Sequence, residues 1–68
     1  MPLSARNRLD GEITDVLLGT VTALVTVKVG NNVIESVITK RSAEELNLKK
    51  GDKVTAVIKA TEVMIQKD

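Results

Sequence analysis

The sequence predicts a mainly β fold, a small five-stranded OB-like Greek-key barrel with one short helix. The first observation behind this prediction is the alternation over residues 20–29, where Val or Ala occupies one face and mostly Thr the other. Strict alternation of this kind is typical of a half-buried strand. The second is a single helix signal, Ser42 followed by Glu45, which lies between the third and fourth predicted strands. Elements in that order are typical of an OB-like barrel.

Turn residues separate the predicted strands. Gly30-Asn31-Asn32 is expected to form a hairpin loop, since Gly and Asn tolerate the left-handed backbone of a tight turn. Leu17-Leu18-Gly19 is expected to turn the chain into the long strand, and Asp10-Gly11 to form a bulge within the first. In the last strand, Val63 and Ile65 are expected to face inward. The predicted strands cover residues 7–16, 20–29, 33–39, 53–59 and 61–66.

The helix is predicted over residues 42–48. Ser42 is the expected N-cap, and Glu45 three residues later completes a capping box. The apolar stripe of this helix comprises Ala43, Leu46 and Leu48. Lys49-Lys50-Gly51-Asp52 is expected to end it, because cations suit a helix C-terminus and Gly-Asp forms a turn.

The composition favours one domain over residues 1–68 that assembles with further copies of itself. A chain of 68 residues is short for a stable core. It contains no Cys and no His, which excludes disulfides and zinc sites, and it contains no aromatic residue to enlarge the core. Assembly into a homo-oligomer is the reinforcement that remains for so small a domain.

Several classes of function are disfavoured by the residue types. Cys and His nucleophile pairs are absent, acidic residues form no visible metal cluster, and the four glycines are too scattered for a phosphate loop, so no enzyme is expected. Ten basic residues oppose nine acidic ones, which gives little attraction for nucleic acids. No segment has transmembrane length and no signal peptide is visible, so we expect a cytoplasmic protein without a membrane partner.

Three donor-rich segments remain as candidates for binding an oxyanion. The first is residues 4–7, where a hydroxyl, a guanidinium and an amide follow one another closely. The second is residues 59–61, and the third is residues 39–42 at the predicted start of the helix. Each has an ordinary alternative, since Lys59 suits a solvated strand and Ser42 a helix cap.

Four segments at characteristic spacing carry a resemblance to a known family. They are S4-A-R-N7 with Leu9 and Gly11, G19-T-V-T-A23, V37-I-T39 with Ser42, and T55-A-V-I-K-A-T-E-V-M-I65. In these segments the sequence resembles the molbindins, small molybdate-binding proteins made of a single Mop (TOBE-type) domain. The resemblance extends over nearly the whole chain.

The resemblance implies an OB-like barrel that assembles as a hexamer, a trimer of dimers, and binds molybdate and usually tungstate at subunit interfaces. It implies no catalytic cofactor and no bare metal cation. The implied principal site comprises Ser4, Ala5, Arg6, Asn7, Lys59, Ala60 and Thr61, with Thr39 from a neighbouring subunit. The implied second oxyanion site comprises Gly19, Thr20, Val21 and Thr22. Relatives carry Ser where this chain has Ala60, which removes a hydroxyl donor but keeps the backbone N–H.

Molybdate suits these donors because it is a tetrahedral dianion with four acceptor oxygens and no donor. We therefore expect an intracellular molybdate-binding protein that serves storage or homeostasis of molybdenum. One alternative is a regulatory module that senses molybdate and passes the signal to a partner. A less favoured alternative is a small OB-type barrel that binds nucleic acid.

Overall fold

A computed structural model describes residues 4–68, so the first three residues of the expected domain lie outside the described residues. Four strands form one antiparallel sheet in the order β3-β2-β1-β4, and the sheet is not closed into a barrel. The elements are β1 (Asn7–Leu18), β2 (Thr22–Val29), β3 (Asn32–Thr39), α1 (Lys40–Glu45), β4 (Lys53–Ile58) and a 3₁₀ turn (Ala60–Glu62). The mainly β fold with one short helix is confirmed.

The prediction of a fifth strand over residues 61–66 is wrong for the single chain. Residues 60–62 instead form the 3₁₀ turn, in which Glu62 N–H donates to Lys59 O at 2.9 Å. Residues 63–68 have no regular structure, and both Val63 and Ile65 are exposed rather than inward-facing. Alternation signals that a segment can form a strand, but a strand also needs an edge to pair with.

The first strand continues two residues beyond its predicted end, to Leu18. The turn therefore lies at residues 19–21, where Gly19 N–H donates to Thr22 O at 2.8 Å. The bulge expected at Asp10-Gly11 is also wrong, because the register shifts between Ile13 and Asp15 instead. Gly11 has a different role: a Cβ there would lie 2.5 Å from the carbonyl oxygen of Lys28, so only glycine allows β2 to approach so closely.

The core lies on one face of the sheet and is built as the alternation of β2 predicts. Ile13 pairs with Val27 across β1 and β2, and Val25 lies beside them, all three buried. Partly buried side chains packed against these three are Val16, Val29, Ile38, Leu48 and Val54. Val21 was expected on the same face but precedes β2 and is exposed. The buried core is therefore small.

The helix begins two residues earlier than predicted. Thr39, rather than Ser42, is its N-cap, and the Thr39 hydroxyl accepts a hydrogen bond from Ser42 N–H at 3.0 Å. The helix ends at Glu45 and buries Ala43, whereas Leu46 is exposed. Both Thr and Ser are good N-cap residues. Because β3 ends at Thr39 and the helix begins at Lys40, Thr39 rather than Ser42 takes the N-cap position. Neither this helix nor the 3₁₀ turn within residues 4–68 is long and apolar enough to cross a membrane.

Candidate functional site

Two of the donor-rich segments lie together at one end of the sheet. Asn7 is the first residue of β1 and pairs with Ile58, the last residue of β4. The Asn7 side chain strengthens this junction, because Nδ2 donates to Ile58 O at 3.2 Å. Residues 4–7 thus enter the sheet beside the point where residues 59–61 leave it. We call these two segments the donor cluster.

Backbone N–H groups add to the donors of this cluster. The first hydrogen bond of the 3₁₀ turn is made by Glu62 N–H to Lys59 O, so the N–H groups of Ala60 and Thr61 precede it. N–H groups in the first turn of a helix have no partner within the helix and are available to a ligand. Ala60 therefore lacks the hydroxyl of a serine but still offers a donor.

The cations of the donor cluster are exposed and carry their charge unopposed. Three ion pairs occur within residues 4–68, namely Arg41–Glu45, Lys49–Asp52 and Lys53–Glu12. Neither Arg6 nor Lys59 takes part in any of them. Ser4 is also exposed, whereas Ala5 and Asn7 are partly buried. An anion with two negative charges could therefore be balanced locally, although the whole chain has a net charge of only +1.

Thr39 lies away from the donor cluster within a single chain. It is in β3, which β2 separates from β1, and it pairs with Thr22 near the end of β1 opposite to Asn7. Its hydroxyl is already engaged, since it accepts from Ser42 N–H at 3.0 Å and donates to Ser42 Oγ at 2.8 Å. The expectation that Thr39 reaches the principal site from a neighbouring subunit stays a prediction.

The expected second site forms an exposed turn beside Thr39. Thr22 pairs with Thr39, and Lys40 N–H donates to Val21 O at 2.7 Å, which ties the turn at residues 19–22 to the start of α1. Thr22 is therefore the cross-strand neighbour of Thr39, whose hydroxyl is bonded to that of Ser42, a grouping that sequence reasoning missed. The sequence contained the information needed to find this pair. A two-residue hairpin turn at Gly30-Asn31 places Val29 opposite Asn32, and counting seven residues outward along each strand places Thr22 opposite Thr39.

The donor cluster suits an anion rather than a metal cation. Its side chains offer hydroxyl, guanidinium, amide and ammonium groups, and none is a carboxylate, imidazole or thiolate. Within residues 4–68, His, Cys, Asp and Glu form no group of three or more that could hold a metal ion.

Comparison with known proteins agrees with this geometry, since the TOBE domain family matches residues 3–65. The chain belongs to the TOBE domain family. This TOBE domain is 47% identical over 66 residues to "Molybdenum-pterin-binding protein 1" of Clostridium pasteurianum, covering 96% of the chain and 97% of that protein. The resemblance to the molbindins is thereby confirmed.

Two solved structures share the fold of this TOBE domain. A molybdate-binding protein from Sporomusa ovata superposes with a TM-score of 0.95 at 37% identity, covering 98% of this chain and all of that one. The cytoplasmic molybdate-binding protein ModG, with molybdate bound, superposes with a TM-score of 0.83 at 43% identity. That match covers 88% of this chain and 43% of ModG.

Proposed function

We propose that this TOBE domain binds molybdate, and with it tungstate, at interfaces between copies of the chain. The proposed role is storage or homeostasis of molybdenum in the cytoplasm, without catalysis, by a single Mop domain over residues 1–68. The observation that carries the proposal is the pairing of Asn7 with Ile58, which joins residues 4–7 and 59–61 into one cluster of donors. The molybdate-binding relatives at high identity support the same ligand.

The chemistry of the cluster matches a tetrahedral dianion. Molybdate accepts hydrogen bonds at four oxygens, and the cluster offers the Arg6 guanidinium, the Lys59 ammonium and the N–H groups of Ala60 and Thr61. Hydrogen bonds from charged donors are roughly twice as strong as neutral ones. Two cations that make no ion pair within residues 4–68 can therefore hold a dianion on a chain that is otherwise almost neutral.

The name of the Clostridium pasteurianum relative mentions a pterin, but the donor set of this chain favours the free oxyanion. A flat ring such as a pterin stacks best on aromatic side chains, and the chain has no Phe, Tyr or Trp. The oxyanion needs only the polar donors that the cluster supplies.

Assembly into a homo-oligomer is supported by the amount of exposed surface. The accessible surface is 5777 Å², whereas a globular monomer of 7.3 kDa is expected to expose about 4,200 Å². Large apolar side chains contribute to the exposed surface of the single chain; they are Leu9, Leu17, Leu18, Val21, Val33, Val37, Leu46, Val57, Val63, Met64 and Ile65. We propose the hexamer, a trimer of dimers, with Thr39 and the turn at residues 19–22 contributing to interface sites.

Isothermal titration calorimetry of the purified oligomer tests the proposal, with molybdate, tungstate, sulfate and phosphate as ligands. Molybdate and tungstate are expected to bind and to raise the midpoint of thermal unfolding, because a ligand held by the folded assembly stabilises it. Light scattering after gel filtration reports the number of subunits. Absence of both heat and thermal stabilisation with molybdate and tungstate would overturn the proposed function. Binding to oligonucleotides at low salt would instead favour a nucleic-acid-binding barrel.

A further inference from the structure

One carboxylate lies directly beside the donor cluster. Glu62 follows Thr61 in the chain and is the last residue of the 3₁₀ turn, within its first turn. Consecutive Cα atoms are about 3.8 Å apart, so Glu62 stays close to the N–H groups of Ala60 and Thr61. The donor cluster itself contains no acidic residue, and Glu62 is the acidic residue that is nearest to it in the sequence.

The side chain of Glu62 is not needed to form the turn. The hydrogen bond that closes the turn uses the backbone, since Glu62 N–H donates to Lys59 O at 2.9 Å. The Glu62 side chain is exposed and makes no ion pair within residues 4–68. Asp10, the next carboxylate from the cluster, differs in this respect, because it accepts a hydrogen bond from the Thr55 hydroxyl at 2.8 Å. The charge of Glu62 can therefore be removed without loss of a structural contact.

Glu62 is also placed to act on Lys59. Lys59 is the N-cap residue of the 3₁₀ turn, and its side chain makes no capping hydrogen bond. Glu62 is the third residue after this N-cap, and the residues at these two positions face each other at the start of a helix, as the capping box shows. The carboxylate thus lies on the side of the turn from which the ammonium and the free N–H groups reach an anion.

The charges around the donor cluster no longer balance a dianion once Glu62 is counted. Arg6 and Lys59 supply two positive charges, and Glu62 opposes one of them. At a given distance, a carboxylate repels a dianion with twice the energy with which it repels a monoanion. A fixed negative charge in this place weakens the binding of every anion at the cluster, and it weakens that of a dianion most.

We propose that Glu62 limits the affinity of the donor cluster for molybdate by repelling the bound dianion through space. The inference rests on the proposed function and names a residue that regulates the same site. A protein that stores an anion must also release it, and this carboxylate favours release without removing any donor. Glu62 acts on the site through its charge and does not contact the ligand.

Isothermal titration calorimetry of the unaltered protein and of Glu62→Gln with molybdate tests the proposal, because glutamine keeps the size of the side chain and removes its charge. The matched control is Glu35→Gln, which removes the same charge from an exposed position in β3 opposite Thr26. Each titration is repeated at about 0.01 M and about 1 M sodium chloride, between which the Debye length falls from about 30 Å to about 3 Å. A repulsion through space is screened by this change, whereas a change in shape is not.

Glu62→Gln is expected to lower the Kd for molybdate about three- to tenfold at low salt, and the gain is expected to shrink to less than about twofold at high salt. Glu35→Gln is expected to stay within about twofold of the unaltered protein at both. Tighter binding cannot come from damage to the fold, so a purely structural role of Glu62 does not give this result.

Unchanged or weaker binding by Glu62→Gln overturns the role of Glu62. An equal gain in Glu35→Gln overturns it too, as does a gain that high salt leaves undiminished. The unaltered protein separates this proposal from the proposed function. If it binds molybdate and Glu62→Gln shows no gain, only the role of Glu62 is refuted. If neither protein binds molybdate, the proposed function is refuted and the role of Glu62 with it.

Discussion

Replacing Arg6 with alanine is expected to weaken molybdate binding while leaving the fold intact. Arg6 lies in the exposed segment before β1 and makes no ion pair within residues 4–68, so its removal leaves no carboxylate without a partner. A hydrogen bond to a charged group contributes about 1.5–3 kcal/mol. Since about 1.4 kcal/mol corresponds to a tenfold change in affinity, the Kd for molybdate is expected to rise roughly 10- to 150-fold.

Isothermal titration calorimetry of Arg6→Ala, Arg8→Ala and the unaltered protein measures this change. Arg8 is the matched control, because it removes the same charge from an exposed position in β1 opposite Val57. Its effect on the Kd is expected to stay below about threefold, since exposed charges are screened by salt. All three proteins are expected to unfold at the same temperature without ligand. An unchanged Kd for Arg6→Ala, or an equal loss in both variants, refutes a direct contact with the anion.

Four further predictions test the site and the fold. Lys59→Ala is expected to raise the Kd for molybdate about tenfold in the same titration, with Lys53→Ala as the control; a loss of stability alone would make Lys59 structural. Thr39→Ala is expected to lower the free energy of unfolding by about 1 kcal/mol in urea denaturation, whereas Thr39→Ser is expected to keep the cap; equal stability of both contradicts the capping role. Gly11→Ala is expected to lower it by about 1–3 kcal/mol in the same assay, because the added Cβ meets a carbonyl oxygen of β2; full stability would contradict the close approach. Deleting residues 63–68 is expected to reduce the number of subunits measured by light scattering, because it removes the exposed apolar residues Val63, Met64 and Ile65; an unchanged oligomer contradicts a role of this segment in assembly.

The hairpin of β2 and β3 was predictable because its determinants are local. Alternating Val and Thr mark both faces of β2, and Gly30-Asn31 provides the backbone that a two-residue turn requires. Gly30 adopts a φ of 58°, which glycine reaches without strain. Pairs such as Val25 with Ser36 then follow from the turn by counting outward. No distant part of the chain is needed to set this register.

The predictions of the helix start and of the bulge were wrong because the residues that led to them can each have two structural roles. Thr39 and Ser42 both carry a hydroxyl that can cap a helix, and the end of β3 decides for Thr39. Gly11 suits either a bulge or a close approach of two backbones, and only the position of β2 distinguishes them. For the bulge, the deciding contact comes from the approach of β2 to β1, which the local sequence around Gly11 does not give.

The donor residues could be named from the sequence because donor chemistry belongs to each residue type, but their grouping depends on distant pairing. Residues 4–7 and 59–61 meet only because Asn7 pairs with Ile58, whereas Thr39 lies toward the other end of β1. The apolar side chains of residues 63–65 present the same problem for the core, since they are exposed in the single chain. In the proposed assembly, a contact between copies covers such side chains and brings further donors toward the cluster. Ligand and assembly are then linked by mass action, because an anion that binds only the assembled form stabilises it by about 2.7 kcal/mol at a concentration of 100 times the Kd.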